Sequence, residues 1–407
     1  MSPVVCFAIA AVAMTADAIG YSFGAIRPIE AGLAPTERYW QRRLRLNLLL
    51  ANHGLYLAAI GAWLAVLFFA SHPTASAVLA IGATLSAAYS VITVLAFTRT
   101  DRAHAIPRAI ALAAYVTGFL LAGFAPILSG PVRAAGAHPA PVRLHFDDTA
   151  ALPPLRLVRA MHAMALIEVG DLRVLTDPWW SSRRHYDPGE PLALAPDETR
   201  GTTLITSGQD HYDHSDFAAL TWMPRDTRIV VPSGTAQSAA VRGAGFTEVT
   251  TLGPWQSVDV RGIRVTAVPT RENVAVHDFD FELAYVYEIQ GRVAVFVGHR
   301  MSPSVAAEVA RRYPRIDLAL VAINDLRVRP QFMKQLSMSP DDAARVVRAL
   351  GARVAVPIHY RYHGSWIQDA LLLSHEGTPE LFADALQRVA PGTVLQVLSP
   401  GQPLIIE

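Results

Sequence analysis

The stretch Thr203-Leu204-Ile205-Thr206-Ser207-Gly208-Gln209-Asp210-His211-Tyr212-Asp213-His214-Ser215-Asp216 carries three metal-capable side chains within four residues: His211, Asp213 and His214. A short β-rich apolar run leads into Ser207-Gly208, and Ser215 offers an N-cap for an amphipathic helical run over 216–222. A tight loop between a strand end and a helix start lets imidazoles and a carboxylate converge on one point. That donor mixture suits Zn, Fe or Mn better than Mg or Ca. The competing reading is a polar, helix-capping loop with surface histidines.

The elements that must hold this loop divide the chain in two. Of its 407 residues 52% are hydrophobic, and the mean hydropathy is +0.27. That is too apolar for one water-exposed globular domain and suggests a membrane part joined to a globular part. The net charge of +1 gives no footprint for nucleic acid, so no nucleic-acid partner is expected. The single cysteine, Cys6, excludes an intrachain disulfide and a cysteine-rich zinc ribbon.

Four apolar segments, residues 4–26, 46–70, 75–97 and 106–128, each approach the roughly 20 residues that cross a bilayer as a helix. The first lacks a basic leader and is followed by three more, so it is read as retained rather than as a signal peptide. Asp17, Asn52 and His53 fall inside spans, where an inter-helix hydrogen bond is the expected role. Arg27, Arg38, Arg42, Arg43 and Arg45 follow the first span, and Arg99, Arg102 and Arg108 the third. The positive-inside rule then places both termini, and the large C-terminal region, outside the cytoplasm. The expected organisation is an all-α transmembrane bundle over 1–129, a linker over 130–150 rich in Gly, Pro and Ala, and a globular domain over 151–407.

In the globular part the apolar period changes. Strands are expected at 163–169 and 172–176, joined by a Gly170-Asp171 turn and ended at Asp177-Pro178. Further strands are expected at 228–231, 263–268, 283–289, 292–297, 317–321, 353–357 and 393–398. Helices are expected at 302–312, from Ser339-Pro340 to 350, and at 379–389. Two runs of mixed strands with helices outside predict an α/β αββα sandwich.

At this level the chain resembles the metallo-β-lactamase superfamily. Gln209-x-His211-x-Asp213-His214 is similar to its His-x-His-x-Asp-His signature, with Gln209 where the first histidine would stand. His162-Ala163-Met164-Ala165-Leu166-Ile167-Glu168-Val169 through Thr176-Asp177-Pro178 looks like the opening of the branch containing N-acyl-phosphatidylethanolamine phospholipase D-like and L-ascorbate-6-phosphate lactonase-like hydrolases. Met338-Ser339-Pro340-Asp341-Asp342 through Val356-Pro357-Ile358-His359-Tyr360 looks like its closing helix, strand and ligand histidine. The resemblance spans residues 161–400.

The resemblance implies a metal set of five histidines and two aspartates, one of them bridging. Carried over position by position, His211, Asp213, His214 and His359 match. Glu272, with His277 close behind, falls where the third histidine would be, and His299 falls where the bridging aspartate would be. One site would hold His211, Gln209 and Glu272, and the other Asp213, His214 and His359, with His299 as a possible fourth ligand. An imidazole bridges two metals poorly, so one tightly bound divalent ion is favoured over two, zinc first and then iron or manganese. Asp213 and His211 are the expected catalytic groups, and Asp177 the expected acceptor for a ligand histidine's N–H. His162 is read as structural rather than as a ligand. His363 and His375 are read as surface residues near the mouth, and Trp179, Trp180 and Trp366 as rim or core. The implied function is a membrane-anchored, metal-dependent hydrolase of a phosphodiester or ester, small or lipid. The alternative is a degenerate domain serving as a membrane-tethered binding or sensing module. Nothing in the sequence sets the oligomeric state.

Overall fold

The strand Leu283–Ile289 shows how the sequence builds the architecture. Leu283, Tyr285, Tyr287 and Ile289 face one apolar cluster, while Ala284 and Val286 face another. A strand apolar on both faces must be covered on both. The computed structural model describes residues 138–149, 151–181, 187–235, 237–272, 282–329, 333–364, 369 and 373–407. The chain divides into the units Met1–Leu128 and Ser129–Glu407, and all described residues lie in the second. The four segments expected to span a membrane lie outside the described residues. Among the described residues, no helix is long and apolar enough to cross a membrane.

Two sheets stack face to face. The first has eight strands in the spatial order Val142–Leu144, Pro403–Ile406, Leu155–Met161, Met164–Val169, Leu172–Thr176, Leu204–Thr206, Arg228–Pro232 and Val249–Leu252. The second has seven: Val394–Leu395, Val354–Ile358, Leu318–Ala322, Arg292–Val297, Leu283–Ile289, Ile263–Pro269 and Ser257–Val260. In each sheet one part is an antiparallel meander and the other a run of parallel strands. Ile167, Val174, Leu204, Tyr285, Phe296 and Leu320 belong to the core between the sheets. The helices Pro303–Arg312, Pro340–Leu350 and Pro379–Val389 cover the outer face of the second sheet through Val305, Val309, Val346, Val347 and Phe382. Trp179, Trp180, Phe217, Leu220 and Phe246 cover the outer face of the first. This is the expected αββα sandwich.

Local chemistry fixes most boundaries. Gln290 and Gly291 join two strands with φ of 49° and 85°, the pair of left-handed residues that a tight two-residue hairpin demands. The Ser339 hydroxyl accepts the N–H of Asp342, whose carboxylate accepts the N–H of Ser339, and Gly351 ends that helix at φ 63°.

Three expectations need correction. Residues 216–222 form no regular helix; short 3-10 turns occur at Tyr212–His214 and Phe217–Ala219. The reason is that Ser215 does not cap. Its hydroxyl contacts Ser207 Oγ at 2.7 Å and donates to the carbonyl of Gln209 at 2.6 Å. The expected strand 393–398 shortens to Val394–Leu395, and Pro403–Ile406 adds a strand that the sequence reading lacked. Val142–Leu144, inside the stretch read as linker, pairs in parallel with Pro403–Ile406.

Candidate metal centre

Strand direction gathers the polar residues at one edge of the sandwich. Asp177 follows the strand Leu172–Thr176, and Gln209 to His214 follow Leu204–Thr206. His299 follows Arg292–Val297, His359 follows Val354–Ile358, and His162 turns the chain between Leu155–Met161 and Met164–Val169. The carboxyl ends of parallel strands form the usual crevice of α/β sheets. His162, Asp177 and His359 have positive φ values of 55°, 36° and 56°, conformations uncommon outside glycine. Such strain concentrates at functional sites. The backbone N–H of His359 donates to the carbonyl of His162 at 3.1 Å, locking two of these turns together.

Four side chains meet here: His162, Asp213, His214 and His359 each offer a donor atom, and all four atoms lie within 4.8 Å of one another. All four residues are buried. Oδ2 of Asp213 is the hub. It lies 3.0 Å from Nε2 of His162, 3.3 Å from Nε2 of His214 and 3.8 Å from Nε2 of His359. Tetrahedral donors at zinc-ligand distances sit about 3.4 Å apart, so these separations bracket what a bound ion requires. The far side of His214 is also prepared. Its Nδ1 lies 2.6 Å from Oδ2 of Asp177, while its Nε2 is buried without a hydrogen-bond partner. Donation from Nδ1 to Asp177 makes Nε2 the nitrogen that faces the cluster, where it can bind an ion once it gives up its proton. The residues fit a divalent ion.

Asp177 is held in turn by the N–H of Gly208 at 2.9 Å. A side chain at Gly208 would meet the Leu283 carbonyl oxygen at 2.6 Å, so glycine is required for that approach.

Burial and neighbouring charge set the protonation states. Burial opposes the charge of Asp213, but His214 and the hydrogen bond from His162 overcome it and hold the carboxyl well below its usual range. Burial likewise opposes a charge on His214, yet Asp213 and Asp177 carry its pKa up to about 10 in the metal-free site. Burial lowers His162 despite the attraction of Asp213. Burial, with cationic neighbours, holds His299 and His359 well below the ordinary histidine value. The low-pKa imidazoles are therefore neutral and carry the lone pairs a metal needs.

The residues expected from sequence are distributed unevenly. Asp213, His214 and His359 join the cluster. His299 borders it, with Nε2 at 2.9 Å from Nε2 of His359. Gln209 Nε2 lies 3.1 Å from the His299 ring, and the rings of His211 and His299 are 6.2 Å apart. Glu272 is not brought to the site. It is exposed and lines a separate pocket with Trp255, Arg271 and Glu308. Glu282 supplies the nearby carboxylate instead. Its Oε2 lies 3.2 Å from His299 Nδ1, and Oε1 accepts from Arg300 at 2.8 Å. Burial raises the pKa of Glu282 against the pull of Arg300. A small space of about 10 Å³ remains beside Gln209, Glu282 and His299, about one water in size.

His162 needs the opposite correction: it belongs to the cluster rather than to the scaffold alone. Its place in the opening His162-Ala163 motif was the available signal. Trp179 and Trp180 are fully buried and belong to the core. His277 and Trp366 lie outside the described residues.

Several known proteins are similar to this chain. Residues 172–360 match the family described as Beta-lactamase superfamily domain. An uncharacterised protein of Mycobacterium tuberculosis (strain H37Rv) is 26% identical over 218 residues, covering 49% of this chain and 56% of that protein. The chain thus spans about half the length of the first curated relatives it matches. A UPF0173 metal-dependent hydrolase of Rubrobacter xylanophilus is 27% identical over 243 residues, 58% of this chain and 89% of the relative. Among solved structures, Igni18, a metallo hydrolase from Ignicoccus hospitalis, aligns with 62% of this chain and 99% of its own at 15% identity, with a TM-score of 0.47. Over residues 172–360 this chain is therefore similar to the β-lactamase superfamily domain.

Proposed function

We propose that this chain is a metal-dependent hydrolase whose ion is held by His162, Asp213, His214 and His359. The observation that carries this reading is the convergence of four buried donors with His214 already oriented by Asp177. The name of the Rubrobacter relative, a metal-dependent hydrolase, supports the reaction class. One ion is favoured over two, because Gln209 and His299 fill the neighbouring position by contacting each other. When bound, the ion supplies Lewis-acid polarisation and activation of water. The protein's own residues do the rest. Asp213 stays ionised, His162 contacts its Oδ2, and Glu282 orients His299 beside His359. Phosphodiesters and esters are the proposed substrates. The four apolar N-terminal segments favour a membrane-tethered domain with access to lipid, on the extracytoplasmic side by the arginine distribution.

A second reading has its own observation. Four buried protein donors resemble a closed structural site, whereas catalytic sites keep a position for water. In that reading the domain is a metal-stabilised binding or sensing module. Metal content by plasma mass spectrometry, followed by an ester and phosphodiester screen, tests both. Hydrolysis that vanishes in Asp213→Ala and His359→Ala supports the hydrolase. Metal bound without turnover of any substrate supports the module, and absence of metal after reconstitution defeats both.

A further inference from the structure

The loop beyond His359 carries a second group of metal-capable side chains that the site above does not use. We propose that His363, Asp369 and His375 form a second, separate binding site for a divalent first-row transition metal. The donor atoms of these residues lie within 4.8 Å of one another. Nε2 of His375 is 3.1 Å from Oδ1 of Asp369, and Nδ1 of His363 is 3.8 Å from Oδ2. The two imidazole rings stand edge to face with centroids 5.1 Å apart. Two imidazoles and one carboxylate on one side of an ion, with the other positions open, form a set suited to zinc, iron or cobalt.

The backbones that carry these imidazoles are pinned, which separates the group from a chance meeting of surface side chains. His363 exchanges two main-chain hydrogen bonds with Asp187, at 2.7 and 2.9 Å. His375 follows the strand Leu373–Ser374, which pairs with Arg327–Val328. Two residues further on, Gly377 lies so close to Ile323 that a Cβ would meet its carbonyl oxygen at 1.7 Å. Asp369 is fixed by the N–H of Gly364 at 3.0 Å. The charge balance also fits. One carboxylate and two imidazoles leave net attraction for a cation, and the half-exposed His363 gives an ion and its waters access to solvent. This site differs in kind from the buried cluster: it is open, so it exchanges its ion faster and holds it less tightly.

The test uses the full chain, purified without a histidine tag and stripped by chelator. Zn²⁺ is titrated by calorimetry, and bound ions are counted after equilibrium dialysis. Wild type should show a tight class and a weaker class. His363→Ala/His375→Ala should bind one ion fewer and keep the tight class, while His214→Ala/His359→Ala should lose only the tight class. Asp369→Asn, a milder change, should lose the same weak class with an unaltered circular dichroism spectrum. The proposal is overturned if the His363/His375 variant binds as many ions as wild type. It is equally overturned if every ion bound by wild type disappears in His214→Ala/His359→Ala. Because the two classes are read separately, loss of one reading leaves the other standing.

Discussion

Nδ1 of His214 and Oδ2 of Asp177 are 2.6 Å apart, and both side chains are buried. The contact joins a turn that ends one strand to the loop that ends its parallel neighbour, and it turns a flexible imidazole into a fixed donor. Asp177→Asn keeps an acceptor for Gly208 and tolerates the positive φ, but presents an amide to His214. Metal affinity should fall about 10- to 100-fold with the fold intact. Chelator competition measures it, and unchanged affinity would show that the contact does not tune the site.

His162 contacts Asp213 from the cluster's other side, at 3.0 Å. If it is a ligand, His162→Ala should release metal as readily as His214→Ala does. If it only holds Asp213, the variant should keep the metal, with weaker binding. Metal content of the purified variant decides between the closed and the open set.

Arg159 and Glu190 form a buried pair, with Nη2 to Oε2 at 2.9 Å, and Glu190 also accepts the backbone N–H of His162 at 2.7 Å. Removing one member of a buried ion pair strands the other, at a cost of about 3–5 kcal/mol. Arg159→Ala should therefore lower unfolding stability by that amount and loosen His162. A denaturation midpoint within error of wild type would contradict this.

The metal-free protein should have a particular pH profile. His214 titrates near 10 when folded against 6.5 when unfolded, so its stabilisation is complete below about 6.5 and is lost as pH rises toward 10. Asp213 acts in the opposite sense: its depressed pKa stabilises above 3.8 and that contribution is lost at lower pH. Metal binding needs neutral His214, so the gain in melting temperature on loading should grow as pH rises from 6.5. Thermal melts with and without Zn²⁺ check this; a metal-free melting temperature that climbs from pH 7 to 10 would refute the assignment to His214.

Glu272→Ala should leave metal content and activity unchanged, since the side chain lies in another pocket. Glu282→Gln should alter the pH dependence of any activity, since it removes the carboxylate beside His299. Parallel assays of the two variants separate these carboxylates.

The sequence by itself determined most of the strands and helices and the central loop. The apolar run 283–289, the Gln290-Gly291 turn and the Ser339 and Gly351 caps are short-range physics, written into neighbouring residues. His211, Asp213 and His214 are legible for the same reason, because they share one loop. Glu272 was expected from its spacing after Pro269, with His277 as its rival, whereas the fold brings Glu282 beside His299. His162 meets Asp213 across 51 residues, and His299 meets His359 across 60. No local pattern encodes such meetings. They follow from strand order and from which sheet edge each turn occupies, and only the packed sandwich decides that.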